Sequence, residues 1–164
     1  MRPILTIVCV ALLLSACEKE QHEEVRKFIS CQMDSIFFIG ENPKAVITRA
    51  DLTDTDPNND IDKLTITASG EKAEKLNITL IGSSEGLDHG VFYSQDGNKF
   101  SVHYDKNNIT QLADQTYGFF SLSIRNVKDS LIEASFYGTA VDTSGTFVPK
   151  PITHGFLRAI VTTN

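Results

Sequence analysis

Leu64-Thr65-Ile66-Thr67-Ala68-Ser69-Gly70-Glu71-Lys72-Ala73-Glu74-Lys75-Leu76-Asn77-Ile78-Thr79-Leu80 carries two alternating runs about one polar break. Leu64, Ile66 and Ala68 share one side, and Thr65 and Thr67 the other. Leu76, Ile78 and Leu80 repeat the arrangement against Asn77 and Thr79. A period of two marks a strand with one buried and one wet face. Ser69-Gly70-Glu71-Lys72 is turn-forming, so the stretch predicts an antiparallel hairpin.

The same alternation recurs at Phe100–Tyr104, Phe120–Ile124 and Ile132–Gly138. Weaker strand patterns lie at Phe28–Met33, Ile36–Ile39, Ala45–Arg49, Gly90–Tyr93 and Phe156–Val161. Met33-Asp34-Ser35-Ile36 and Asn126–Ser130 read as turns between strands. Gln95-Asp96-Gly97-Asn98 contains Asp-Gly, the favoured pair of a type I′ hairpin turn. No segment sustains an apolar period of 3.6, so little helix is expected. The fold class predicted is all-β: an antiparallel β-sandwich or partly closed barrel of eight to ten short strands.

The opening residues have a different character. Met1-Arg2-Pro3 precedes an apolar run, Ile4–Leu14, and then Leu14-Ser15-Ala16-Cys17. Charge, apolar run and small residues in this order are the layout of a secretory signal. The run is shorter than the ~20 residues needed to cross a bilayer. Leu-Ser-Ala-Cys resembles a bacterial lipobox, in which the cysteine thiol receives a diacylglyceryl group and the chain is cut before it. Residues 1–16 are therefore read as a removed lipoprotein signal peptide. Cys17 is the lipidation site, residues 17–27 are a polar tether, and residues 28–164 form a single all-β domain. Ten extended tether residues reach about 33 Å. Two or more acyl chains anchor a protein firmly without a spanning helix.

Loss of Arg2 takes the net charge from −6 to −7. That acidity argues against a nucleic-acid partner and against charge-driven adhesion to anionic lipid. Of three cysteines, Cys9 leaves with the signal and Cys17 takes the lipid. Cys31 then has no partner for a disulfide and reads as a small buried apolar residue.

The order of motifs resembles the small β-rich lipoproteins of uncharacterised function from Bacteroidota. The shared features are the lipobox, Phe28-x-x-x-x-Met33-Asp34-Ser35, the Leu-Thr-Ile-Thr-Ala strand and a Gly-x-Phe-x-Leu-x-Ile strand. A strand ending in Gly138-Thr139 follows, then the closing Ile152-Thr153-His154-Gly155-Phe156. The resemblance implies an envelope protein and transfers no catalytic residue. Glu18 after the cysteine favours the outer membrane, and Glu18-Lys19-Glu20 is similar to a surface-export signal of that group. Asp34-Ser35-Ile36 and Asp129-Ser130-Leu131 resemble its O-glycosylation acceptor; both also make good turns.

One cluster has the spacing of a metal loop. Asp54, Asp56, Asn58, Asp60 and Asp62 place an oxygen side chain at every second residue, as calcium loops do. The segment lacks the glycine of an EF-hand, and Asp-Pro-Asn-Asn is also ordinary turn chemistry. Calcium is thus a candidate cofactor beside the reading of a solvated acidic loop. His22, His89, His103 and His154 show no metal spacing. Neither a nucleophile elbow nor a phosphate-cradling glycine loop is present, so no enzyme is expected.

The function expected is a lipid-anchored envelope protein that acts as a binding or interaction module. It would display loops such as 51–62, 83–90 and 105–115 to an envelope protein, a polysaccharide or a small ligand. The alternative is a barrel-type carrier in which Phe100, Phe120 and Phe136 surround an apolar pocket; an envelope enzyme is the distant third.

Overall fold

The computed structural model describes residues 25–53, 55–56, 59–82, 87, 89–143 and 148–163. Residues 1–24, which include Cys17 and the expected signal segment, lie outside these. Eleven strands follow one another: β1 (Phe28–Met33), β2 (Ile36–Glu41), β3 (Lys44–Thr48), β4 (Lys63–Ser69), β5 (Glu74–Ile81), β6 (Gly90–Tyr93), β7 (Lys99–Tyr104), β8 (Ile109–Ala113), β9 (Phe119–Lys128), β10 (Leu131–Asp142) and β11 (Pro149–Thr163). The described residues contain no α-helix; Ser94–Asp96 forms a single 3-10 turn.

The all-β expectation holds, with a strand count above the expected eight to ten. Both predicted architectures are present in one object. Strands β2-β1-β11-β10-β9-β6 make a six-stranded face, and β3-β4-β5-β7-β8 a five-stranded one. The two faces are stitched at diagonal corners. At one, Val161–Thr163 of β11 pairs in parallel with Ala45–Ile47 of β3. At the other, Val141 and Asp142 of β10 pair with Leu112 and Gln111 of β8. Since β10 and β11 also pair along most of their length, a ring of seven strands closes. Strands β1–β2 and β9–β6 extend the six-stranded face beyond that ring.

Alternation sets which residues enter the interior. Leu64, Ile66, Leu76, Ile78 and Leu80 of the opening hairpin are all buried. Opposite them lie Ile29, Cys31, Met33, Leu122, Ile152 and Leu157. Phe100, Phe120 and Phe136 meet at the centre, with ring centroids 5.5–6.1 Å apart. Gly155 makes this packing feasible: a Cβ there would stand 2.4 Å from the Phe136 ring and 2.2 Å from the Phe136 carbonyl oxygen. Gly40 likewise lets β2 approach β4, since its Cβ would lie 2.8 Å from that of Ala68.

Three turns form as the sequence predicts. β1–β2 turn at Asp34-Ser35 and β4–β5 across Gly70. β9–β10 turn at Asp129-Ser130, both with positive φ, the geometry of a type I′ turn. Gln95-Asp96-Gly97-Asn98 departs from its expected hairpin. β6 pairs with β9 and β7 with β5, so the segment is a corner between faces. Buried Asn98 fixes that corner by accepting from the Ile81 amide at 2.8 Å and donating to the Tyr93 carbonyl at 2.8 Å. The expected display loop 105–115 is also corrected, because Ile109–Ala113 within it is strand β8.

Candidate functional site

The outer surfaces of the two faces differ in chemistry. On the five-stranded face, positions alternating with the buried residues are Lys44, Lys63, Lys75 and Lys99 among threonines, serines and asparagines, with Val46, Ile81, His103 and Leu112. This sheet surface is mainly polar and faces water. The six-stranded face instead presents Phe28, Phe37, Phe119, Phe156, Tyr93 and Tyr137. Its two lysines, Lys128 and Lys150, lie at the ends of β9 and β11.

Register arranges these rings in rows. Tyr93 of β6, Ser121 of β9 and Tyr137 of β10 are successive cross-strand partners. Ser121 is only 2% exposed although it points outward, because its neighbours cover it. Phe119 packs on Tyr137 with centroids 6.0 Å apart. Towards β1, Phe28 and Phe156 pack at 5.3 Å. Arg26 lies 5.0 Å over Phe28 and pairs with Glu41; Arg158 lies 5.7 Å over Phe156 and pairs with Glu133 at 2.6 Å. The Arg26 pair holds the Glu41 carboxyl below its usual range, mainly through the hydrogen bond. Phe37 at 61% and Tyr137 at 58% exposure are the most open rings of this face. Paired rings with arginines stacked on them present large apolar area in fixed geometry.

The sequence-predicted sites are placed as follows. Asp54 and Asn58 lie outside the described residues, as do His22, residues 83–86 and residue 88. Asp62 has both carboxylate oxygens engaged: Oδ2 by Arg49 Nη1 at 2.6 Å, Oδ1 by the Ala50 amide at 2.8 Å. The Ala50 amide first, then Arg49, hold its carboxyl below the usual range. Asp60 is exposed, and the Asp56 carbonyl accepts from the Asn59 amide at 3.3 Å. Asp51 closes an Asx turn by accepting from the Thr53 amide and hydroxyl. Among the described residues, no three His, Cys, Asp or Glu side chains gather as a metal site.

Cys31 is fully buried and free, and burial pushes its thiol up to about 12. His103 bridges Thr110 Oγ1 at 3.0 Å and Asp105 at 3.2 Å on the wet face. His154 sits at the β11 irregularity with φ 52° and contacts Thr153 Oγ1. Both Asp-Ser pairs that resemble glycosylation acceptors stand at exposed turn tips.

The row character of the aromatic face was not read from the sequence, although its clue was there. Phe37-Phe38 and Phe119-Phe120 put one ring on each side of a strand. Which outward rings become neighbours depends on strand order, and that is fixed only by the long-range pairings of β6 and β11.

No family model, curated protein or solved structure matches this chain. No described helix is long and apolar enough to cross a membrane.

Proposed function

We propose that this chain is a lipid-anchored protein of the bacterial outer membrane, held through Cys17, and that it works as an interaction module. Its partner is another envelope protein, docked on the aromatic outer face of the six-stranded sheet. One observation carries the reading: outward rings with stacked arginines cluster on the six-stranded face, whose two lysines stand at strand ends, while four lysines lie along the five-stranded face. Interface cores are rich in Tyr, Phe and Arg and poor in Lys. Clustered outward rings of this kind on a sheet mark a contact site.

Size supports a reversible contact. Six strands spaced about 4.8 Å apart, with about six residues each, present roughly 500 Å², below the ~800 Å² per partner of a stable complex. The anchor supports it too. The tether enters the domain at β1, a strand of this same face, so the lipid holds the docking surface within about 33 Å of its attachment. Packing of Phe100, Phe120 and Phe136 against one another favours this reading over a carrier with an apolar cavity at that level.

Two experiments test the proposal. Cys17→Ser should move the protein from the membrane to the soluble fraction; retention on membranes contradicts the anchor. Gently solubilised wild-type membranes should show the protein in a complex larger than the monomer, and Phe37→Lys with Tyr137→Lys should return it to monomer size. Unchanged migration of the double variant, or a monomeric wild type, contradicts the docking face.

A further inference from the structure

A groove of about 450 Å³ opens where the end of β2 meets β3, β4 and β5. It belongs to neither the aromatic face nor the acidic loop. Next to the groove, Gly40 lets β2 press on β4 beside Ser69, whose carbonyl oxygen would stand 3.1 Å from a Cβ at position 40. Asn42, with φ 48°, turns the chain at its rim and is tied down by its amide to the Lys27 carbonyl at 2.9 Å.

The lining mixes polar side chains with apolar surface from Ala68 and Leu76. Lys44, Thr67 and Asn77 are cross-strand partners in one row, and Ser69 and Lys75 in the next. Two ammonium groups therefore flank hydroxyls and carboxamides that can both donate and accept. The acid at the rim, Glu41, is neutralised by Arg26. Lys75 contacts Asp105 at 3.0 Å, which leaves donors of its ammonium free. No ion pair holds Lys44 among the described residues. With Glu41 paired to Arg26 and Lys75 to Asp105, Lys44 supplies one excess positive charge among hydroxyl- and carboxamide-bearing side chains.

We infer that this groove binds an anionic saccharide, a hydroxylated ring bearing a carboxylate. The two lysines take the charged group, while Asn42, Asn77, Thr67 and Ser69 take ring hydroxyls. Its volume lies within the ~300–1,000 Å³ of ligand sites. Its open form suits one unit of a longer chain. The inference does not rest on the protein-docking proposal, since the groove and the aromatic face share no ring.

The test is a titration of the full-length chain, in non-ionic detergent, with tetragalacturonate, with the neutral maltotetraose and with inorganic phosphate. Tetragalacturonate should bind, more weakly as salt rises. Its affinity should fall at least about tenfold in a Lys44→Gln, Lys75→Gln double variant, the loss expected for charged hydrogen bonds. The neutral sugar should bind at least about tenfold more weakly than the acid, and Phe37→Lys should change nothing. No tetragalacturonate binding up to about 10 mM overturns the inference. So does affinity retained in the double variant, or phosphate binding as well as the sugar acid does.

Discussion

Among the described residues, Gln111 stands out as a fully buried side chain with two unsatisfied polar atoms, and replacing it with methionine should stabilise the protein. It is 1% exposed, and neither its amide nitrogen nor its amide oxygen has a hydrogen-bond partner. Its inward row runs Leu76, Val102, Gln111, Asp142 across four strands. A buried polar group without a partner costs about 1–3 kcal/mol, and Gln111 presents two such atoms. Methionine has nearly the same length and flexibility, and its thioether requires no partner. Some repacking loss offsets the gain, so we expect a net increase of about 1–2 kcal/mol. For a domain of this size that is a rise in Tm of roughly 3–6 °C. The assay is urea and thermal unfolding of the Cys17→Ser chain followed by circular dichroism, with the denaturant slope unchanged. A loss of more than about 1 kcal/mol refutes the reasoning, because it would mean that the amide is hydrogen-bonded in the folded state.

Other outcomes follow from the same packing. Gly155→Ala forces a methyl into the Phe136 ring and carbonyl and should cost about 3 kcal/mol or abolish folding; stability within 1 kcal/mol of wild type, by the same urea assay, contradicts the close approach. Phe120→Ala removes a fully buried ring from the central trio and should cost about 3–5 kcal/mol. Cys31 and Tyr104 are both raised to about 12, Cys31 by burial and Tyr104 by burial first and then by Cys31 and Glu74. Both groups hold their protons more tightly folded than unfolded. Their stabilisation is therefore complete below the ordinary values of 9.0 and 10.0 and is lost as pH rises from there towards 12. Unfolding midpoints measured from pH 8 to 11 should fall, and fall less in Cys31→Ala. Asp62 is shifted the other way: its contribution is present above its ordinary 3.8 and is lost as pH drops through its lower folded value. Asp62→Asn should flatten that acid limb, and an unchanged limb would contradict the role of Arg49 and Ala50.

Much of the fold is legible in the sequence because the wet-face strands keep strict alternation. β4, β5 and β7 read directly, and β1 and β6 fall at their expected bounds. β8 is hidden for a physical reason: Gln111 points in and Leu112 points out, so polarity and burial are inverted there. β11 is more than twice the length of its readable core, since Pro149 and Pro151 disguise its start. Asp96-Gly97 has hairpin chemistry, but Asn98 and Ser94 tie the segment into a corner; the Ser94 hydroxyl accepts from the Phe120 amide at 3.1 Å. The aromatic face was legible only as single outward rings. Its assembly needs β6 to leave β7 for β9 and β11 to lie between β1 and β10, pairings that no local pattern encodes. Of the acidic loop, the structure shows Asp62 held by Arg49 and the Ala50 amide, while Asp54 and Asn58 lie outside the described residues.

The most direct test of the docking claim is a photo-crosslinking amino acid placed at Tyr137 and, as control, at Thr65 on the opposite face. Irradiated in cells of the native host, position 137 should give one discrete adduct that contains a second envelope protein, and position 65 should give none. Diffuse polysaccharide adducts at 137, adducts to a second copy alone, equal adducts at both positions, or no adduct at 137 would contradict the account.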